Sequence, residues 1–173
     1  VEKVLQIATL DKKYFKFKPE QLDVHQLIEQ AMANVALAVE KKSGQIHLQL
    51  NAASPQVYTD KLHLTNVINN LLDNANKYSP QQPEITIRTE QAEDGIILQI
   101  KDNGIGMARE ELHRIFEKFY RVPTGNLHDV KGFGLGLTYV KTILEALGGN
   151  ISVSSSPKKG STFVIYIPAN HEF

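Results

Sequence analysis

The sequence predicts an α+β fold, a two-layer α/β sandwich in which helices cover one face of a mixed, mainly antiparallel sheet. Segments with apolar residues at helical spacing alternate with segments in which every second residue is apolar. Two of the latter are joined by a tight turn, which indicates an antiparallel hairpin. The 173 residues, 42% of them hydrophobic, are enough for one compact domain with a substantial core.

The first half of the chain contains three predicted helices and two predicted strands. Residues Val1–Leu10 are typical of the end of a helix, and Tyr14–Pro19 of a short strand that the proline stops. Helical spacing over Leu22–Lys41 predicts a second helix, and strict alternation over Gln45–Leu50 predicts a half-buried strand. A third helix follows over Lys61–Tyr78.

The middle of the chain is predicted to be a hairpin followed by a long loop. Glu84–Glu90 and Gly95–Asp102 both alternate, and the residues between them suit a turn. A short helix is expected over Arg109–Ile115. The irregular section Phe116–Lys131 is longer than most connections in a compact domain, which favours a functional loop or lid.

The C-terminal part is predicted to be one helix and two strands. The helix extends from about Leu135 to Leu147, where two glycines end it. The strands are Asn150–Ser155 and Ser161–Ile167. Together these elements give helices on one face of a mainly antiparallel sheet.

Composition excludes several classes of function. Nineteen basic and nineteen acidic residues leave no net charge to attract nucleic acid, so nucleic-acid binding is disfavoured. The absence of cysteine removes disulfides, thiolate zinc sites and cysteine nucleophiles. No apolar run approaches the roughly 20 residues that a membrane span needs.

The third predicted helix carries an unusual row of asparagines. Its apolar stripe consists of Leu64, Val67, Ile68, Leu71, Leu72 and Ala75. Asn66, Asn70 and Asn74 lie four apart on another face, with Lys77 three residues further on. Amide oxygens suit Mg²⁺ and a lysine suits phosphate, so the row is a candidate site for a metal nucleotide. A solvated polar face is the alternative, and this helix alone does not decide between them.

A carboxylate is predicted at the buried face of a strand end. In the strand Gly95–Asp102, the alternation places Asp102 on the same face as the apolar residues. Gly104 and Gly106 follow, and they would allow close approach by a flat ligand whose amine, such as adenine N6, donates to the carboxylate. An ordinary Asp-Asn-Gly turn is the alternative reading.

Three glycines precede the last predicted helix. Gly132, Gly134 and Gly136 leave backbone N–H groups accessible at a helix N-terminus, an arrangement that binds phosphate. The spacing fits neither the Rossmann nor the P-loop pattern, so the cradle would be of another kind. A plain glycine hinge is the alternative.

Taken together and in this order, the motifs resemble those of a known family. The chain is similar to the ATP-binding catalytic domain of sensor histidine kinases, whose superfamily includes DNA gyrase, the heat-shock chaperone ATPases and the mismatch-repair ATPase MutL. The N, G1, F and G2 boxes of that family correspond to NNLLDNANKYS, DNGIGM, FEKFYR and GFGLGL. The resemblance extends from about Phe15 to Pro168 and implies a Bergerat-type ATP-binding fold with an ATP lid.

The resemblance implies a role for each matching residue. Asn74 would ligate Mg²⁺, with Asn70 beside the metal and phosphates, and Asp102 would receive the adenine amino group. Asn70, Lys77 and Arg121 would act in catalysis, and Thr162 would add a hydroxyl near the adenine. The full expected set for Mg²⁺ and ATP is Asn70, Asn74, Lys77, Tyr78, Asp102, Gly104, Ile105, Gly106, Tyr120, Arg121, Lys131, Gly132, Phe133, Gly134, Leu135, Gly136, Leu137 and Thr162.

Asn70 distinguishes this chain from the hydrolytic relatives. Those ATPases have a glutamate that activates water at the corresponding position, and an amide cannot take a proton from water. The resemblance therefore implies transfer of the γ-phosphoryl group to a histidine on a separate dimerisation domain. The alternatives are a nucleotide-binding regulatory module without transfer and, less favoured, a hydrolytic ATPase.

The acceptor histidine is expected in another part of the protein. None of the six histidines lies in the His-Glu-hydrophobic-Arg-Thr-Pro context of the family. Residues 1–12 are expected to be the end of the upstream dimerisation helix, and residues 13–173 the catalytic domain. The implied partners are that dimerisation domain, in a homodimer, and the receiver domain of a response regulator. The implied location is the cytoplasmic part of a membrane-anchored sensor.

Overall fold

The computed structural model describes residues 15–123 and 134–173, so the predicted helix Val1–Leu10 lies outside the described residues. The described elements are β1 (Pro19–Asp23), α1 (Val24–Glu40), β2 (Gln45–Leu50), β3 (Gln56–Asp60), α2 (Lys61–Lys77), β4 (Glu84–Ala92), β5 (Gly95–Asp102), α3 (Gly136–Ala146), β6 (Asn150–Ser155) and β7 (Ser161–Pro168).

The main sheet has five strands in the order β2-β4-β5-β7-β6, and β1 and β3 form a separate antiparallel pair. Only the β2–β4 pairing in the main sheet is parallel. The hairpin of β4 and β5 forms as predicted, with Ile87 opposite Ile100. This mixed, mainly antiparallel sheet with helices packed on it is the predicted fold class.

The core lies between the helices and one face of the sheet. The predicted apolar stripe of α2 is buried throughout. On β5, Ile96, Leu98 and Ile100 are buried in alternation, and they continue to the buried Asp102 at the strand end. Because the core fixes both elements, it also fixes where their polar residues lie.

Aspartates connect the small sheet to two helices. β1 ends at Asp23, whose carboxylate accepts hydrogen bonds from the amides of His25 and Gln26 at the start of α1. β3 ends at Asp60, whose carboxylate accepts one from the His63 amide at 2.9 Å in α2. Such N-caps satisfy amides that lack helical partners. Each strand therefore runs directly into its helix.

Two local predictions were wrong, and one strand was missed. Residues 15–18 are irregular, and the first described strand starts at Pro19, since proline is acceptable at the first residue of a strand that pairs on one side. Strand β3 was not predicted, because its pairing with β1 depends on contacts distant in sequence. Arg109–Ile115 forms successive turns rather than a helix; the Arg114 amide donates to the Glu111 carbonyl.

Lys42 holds the C-terminal end of α2. Its ammonium donates to the carbonyls of Asn76 at 2.6 Å and Ser79 at 3.3 Å. Burial lowers the pKa of Lys42, and the charge of Asp73 opposes that effect. A cation near the carbonyl end of a helix is favourable.

Replacing Lys42 with methionine should therefore destabilise the fold. The change keeps the apolar stem and removes the donor, so we expect a loss of about 1 kcal/mol after allowance for solvent screening. Urea unfolding at pH 7 measures the loss. Lys41→Met, at an exposed neighbouring position, is the control, and an equal loss in both variants would contradict the role of Lys42.

In the part of the chain that the structure describes, no helix is long and apolar enough to cross a membrane.

Candidate functional site

A cavity of about 270 Å³ opens where α2, the loop after β5 and the start of α3 converge. Segments 105–107 and 120–122 contribute to its wall, and β7 closes one side. The described lining residues are Asn70, Asp73, Asn74, Lys77, Tyr78, Asp102, Ile105, Gly106, Met107, Ile115, Tyr120, Arg121, Val122, Gly134, Leu135, Gly136, Leu137, Ser161 and Phe163.

Most of the residues expected at a nucleotide site line this one cavity. Residues from α2, from the loop after β5 and from the start of α3 meet there although they are far apart in sequence. Gly104 lies behind the wall and Thr162 does not line the cavity. Lys131, Gly132 and Phe133 lie outside the described residues.

The register of β7 places Ser161, rather than Thr162, at the cavity. Thr162 is paired with Lys101, one residue before Asp102 on β5. Neighbouring residues of a strand face opposite sides, so Thr162 lies on the face away from Asp102. Ser161 and Phe163 line the cavity instead. The expectation for Thr162 was offset by one residue, which in a strand reverses the face.

Asp102 is a buried carboxylate, with 5% of its surface exposed. Its Oδ1 accepts hydrogen bonds from the amides of Gly104 at 2.8 Å and Ser161 at 3.3 Å, and neither bond uses Oδ2. Burial raises the pKa of Asp102, while those two amides act in the opposite direction. A carboxylate held in this way can accept a further hydrogen bond from a ligand in the cavity.

Gly104 connects Asp102 to the end of α2. A Cβ at Gly104 would lie 2.8 Å from both Asp102 Oδ1 and Ser79 Oγ, and it would also meet the Tyr78 carbonyl. The Ser79 hydroxyl is buried and has no hydrogen-bond partner among the described residues. The neighbouring amide of Ile105 donates to the Tyr78 carbonyl at 2.9 Å. The loop after β5 and the last turn of α2 are therefore joined directly.

The position of Gly106 excludes any residue with a side chain. Its φ is +64°, and a Cβ would collide with the Ser156 carbonyl in the β6–β7 turn. Two hydrogen bonds hold the same loop: the Met107 amide donates to Ser155 Oγ, and the Lys158 amide to the Ile105 carbonyl. The loop 105–107, which we call the floor of the cavity, is thereby fixed to the β6–β7 turn.

The asparagine row divides between two environments. Asn70 Nδ2 donates to the Asn66 carbonyl at 2.8 Å, which leaves Oδ1 directed towards α3. A Cβ at Gly136 would lie 2.9 Å from that oxygen. Asn74 lines the cavity one turn further on, whereas Asn66 bonds to Tyr139 and does not line it. Two amides of the row thus face the cavity.

Lys77 and Asp73 form an ion pair at the cavity wall. Lys77 Nζ lies 2.6 Å from Asp73 Oδ2. Both side chains are partly exposed, so the pair contributes little to stability. The ammonium is thereby held beside the asparagine amides.

The first turn of α3 faces the same space. The helix begins at Gly136, and no side chain of a described residue caps its amides at Leu135. Free amides and the helix dipole attract an anion at such a terminus. The preceding Gly134 has φ of +70°, and a Cβ there would lie 2.7 Å from the Tyr120 carbonyl.

Residues 120–122 form one side of the opening, and contacts of the segment before them hold them there. The Phe119 amide donates to the Gly134 carbonyl at 3.1 Å, and Thr138 Oγ1 donates to the Phe116 carbonyl at 2.9 Å. The Arg114 guanidinium lies 4.3 Å from the centre of the Tyr120 ring. These contacts hold Tyr120 and Arg121 at the wall.

The residues present fit ATP with Mg²⁺. Asn70 and Asn74 offer neutral oxygen ligands of the kind that Mg²⁺ accepts, next to an ammonium and uncapped helix amides that suit phosphate. Asp102 offers a buried acceptor in the same cavity, and the Ser79 hydroxyl, which has no hydrogen-bond partner among the described residues, lies near it. One cavity therefore brings together a buried carboxylate, neutral amide oxygens, an ammonium and helix amides.

Sequence reasoning did not identify six lining residues. Of the polar ones, Asp73 was detectable in principle because it directly precedes Asn74 on α2, whereas Ser161 depends on the register of β7, which the structure reveals. The apolar ones depend on packing that the sequence does not reveal. The six are Asp73, Met107, Ile115, Val122, Ser161 and Phe163.

Comparison with known proteins identifies similar chains. A family model described as "Histidine kinase-, DNA gyrase B-, and HSP90-like ATPase" matches residues 59–171. The sensor protein RprX of Bacteroides fragilis is 44% identical over 170 residues, which are 97% of this chain and 33% of that protein. The sensor protein SrrB of Staphylococcus aureus is 32% identical over 169 residues, or 97% of this chain and 29% of that protein.

The chain thus spans about a third of the length of these curated relatives. Among solved structures, the catalytic domain of histidine kinase ThkA superposes with a TM-score of 0.77 at 20% identity. That match covers 90% of this chain and all of the other. It confirms the fold class.

Proposed function

The chain belongs to the family of histidine kinase-, DNA gyrase B- and HSP90-like ATPases, and we propose that it binds Mg-ATP and transfers the γ-phosphoryl group to a histidine of a separate dimerisation domain. The two sensor proteins above are relatives along nearly the whole chain, which supports a role in two-component signalling. The proposal places the domain on the cytoplasmic side of a sensor kinase.

One observation favours phosphoryl transfer over ATP hydrolysis. At the turn of α2 that faces Gly136, the cavity is lined by the amide of Asn70, which cannot act as a general base. The nearby carboxylate of Asp73 is paired with Lys77 at 2.6 Å. The described part of this wall supports binding and positioning of a triphosphate better than activation of water.

Each part of the cavity has a proposed task. Asp102 accepts a hydrogen bond from the adenine amino group, and Tyr78 and Ile105 line the space for the base. Asn74 would hold Mg²⁺, which would neutralise phosphate charge, and Asn70 lines the cavity one turn earlier on α2. Lys77, Arg121 and the first amides of α3 hold the phosphates. In the transfer, the bond from the γ-phosphorus to the β–γ bridging oxygen breaks and a phosphorus–nitrogen bond to the imidazole forms, with ADP leaving.

The partners follow from the same proposal. The phosphoryl group would pass from the dimerisation-domain histidine to the receiver domain of a response regulator. Two copies of the full-length protein would pair through their dimerisation domains.

A transfer assay tests the proposal. The chain is mixed with the separately produced dimerisation domain of its own full-length protein and ATP labelled at the γ position. We expect labelling of the histidine that requires Mg²⁺, and an Asn74→Ala variant should label it at least about 100-fold more slowly, as when one electrostatic stabiliser is removed. Asn69→Ala, on the same helix but outside the cavity lining, is the matched control.

The outcomes separate the candidate functions. ATP binding without labelling would favour the regulatory module, and release of inorganic phosphate without an acceptor would favour a hydrolase. Equal rates for the Asn74→Ala variant and the unmodified chain would remove the metal role of Asn74.

A further inference from the structure

Helices α2 and α3 meet a second time outside the cavity. Tyr139 Oη lies 2.9 Å from His63 Nδ1 and 3.4 Å from Asn66 Nδ2. We call these three side chains the Tyr139 network. It joins the same two helices that meet at the cavity through Asn70 and Gly136.

The network has a consistent direction of hydrogen bonding. Burial raises the pKa of Tyr139, so its hydroxyl keeps its proton, and burial lowers the pKa of His63, against the charge of Asp60. A neutral His63 can accept at Nδ1. In the tautomer that carries its proton on Nε2, the Tyr139 hydroxyl donates to His63 Nδ1 while it accepts from Asn66 Nδ2.

Aromatic packing holds His63 in place. The rings of Phe15 and Phe17 lie 5.4 Å and 5.2 Å from the His63 ring, both approximately edge-on. The His63 amide also donates to the capping carboxylate of Asp60. The acceptor for Tyr139 is therefore fixed from two sides, which makes it an anchor for α3.

The network lies one helical turn from the cavity contact. Asn66 is four residues before Asn70, and Tyr139 is three residues after Gly136. At 1.5 Å per residue, these steps are about 6 Å along α2 and about 4.5 Å along α3. A displacement of α3 at Tyr139 would therefore also move the Gly136 amides relative to Asn70, and displacements of about 1 Å can impair a positioned site.

From this geometry we propose that Tyr139, with His63 as its acceptor and Asn66 as its donor, is a positioning residue for the phosphate half of the site. It sets the distance between the N-terminus of α3 and the amides of Asn70 and Asn74. The inference rests on the proposed binding of ATP. It does not extend to the adenine half, because Asp102 is held by Gly104 and Ser161, which belong to other elements.

The test compares two ligands on one variant. Tyr139→Phe removes a single oxygen and keeps the ring. We expect its affinity for Mg-ATP to fall about three- to tenfold, as for one lost neutral hydrogen bond, with its affinity for adenosine unchanged. Calorimetry for ATP and an NMR titration for adenosine give the two values.

The matched control is Tyr166→Phe. The Tyr166 hydroxyl donates to the Asp94 carbonyl at 3.1 Å, on the sheet and away from both helices. That variant should bind both ligands as the unmodified chain does. His63→Phe keeps an aromatic ring and removes the acceptor, so it should reproduce the effect of Tyr139→Phe, and the double variant should lose no more than either single one.

Two results would overturn the inference: unchanged ATP affinity in Tyr139→Phe, or equal losses for ATP and adenosine, which would indicate a general structural effect. If Tyr139→Phe does not fold, His63→Phe provides the same comparison. Failure of the unmodified chain to bind ATP would instead overturn the proposed function, and the inference with it.

Discussion

Replacing Asp102 with asparagine should weaken ATP binding by about 1.5–3 kcal/mol, or roughly tenfold to more than a hundredfold. The reason is that the proposed bond from the adenine amino group ends on a charged, buried acceptor, which the amide replaces with a neutral one. Calorimetry measures the change, with Asp94→Asn as the control at an exposed turn. Affinity close to that of the unmodified chain would refute the adenine assignment.

The same variant should keep or increase its stability at pH 7. Burial raises the pKa of Asp102 above that of the unfolded chain. The protonated carboxyl therefore contributes stability that is present below the unfolded pKa and is lost as the pH rises through the folded one. An asparagine at 102 does not ionise, so this loss should be absent. Urea unfolding of both proteins at several pH values between the unfolded pKa and neutrality would show this difference in stability. A large loss of stability in the variant would contradict the prediction.

Replacing Gly106 with alanine should destabilise the whole domain. A left-handed conformation costs a residue with a side chain about 1–3 kcal/mol, and here the added methyl would also collide with a backbone carbonyl, that of Ser156. Neither the loop nor the β6–β7 turn can move easily, because two hydrogen bonds join them. We therefore expect a loss at or above the upper end of that range in urea unfolding.

Gly136→Ala is the matched comparison. Gly136 is helical, and among the described residues its added methyl would meet only the amide end of Asn70, which can move. This variant should keep its stability, since alanine is the better helix former, while binding ATP more weakly. A Gly106→Ala variant as stable as Gly136→Ala would show that the floor of the cavity is less constrained than we infer.

The parts of the fold that follow a periodicity were predictable from the sequence. The stripe of α2 and the alternation of β5 each specify a buried face, so the positions of Asn74 and Asp102 relative to the core followed from local pattern. Strand β3 was not predictable in this way, because its five residues pair with β1, more than thirty positions away, and its Tyr58 amide donates to the Ala169 carbonyl. Its existence depends on the folded structure.

The candidate site shows the same limit at the scale of single residues. The motifs identified segments that line one cavity, but Thr162 was expected where the register of β7 places Ser161. The glycine cluster indicated an anion site, yet the contact of Gly136 with Asn70 appears only once two helices are packed. Register and packing between distant segments carry this information, and neither is encoded by a local pattern.

The hydrogen bond between the Ile105 amide and the Tyr78 carbonyl fixes the loop after β5 relative to the end of α2. Tyr78 is the residue at which the helix with the asparagine amides ends, and its carbonyl also anchors the loop that follows Asp102. Under the proposed function, this short stretch of backbone helps to fix the separation between the carboxylate that would bind the base and the groups that would bind its phosphates. A site built in this way would select its ligand by length as well as by chemical groups.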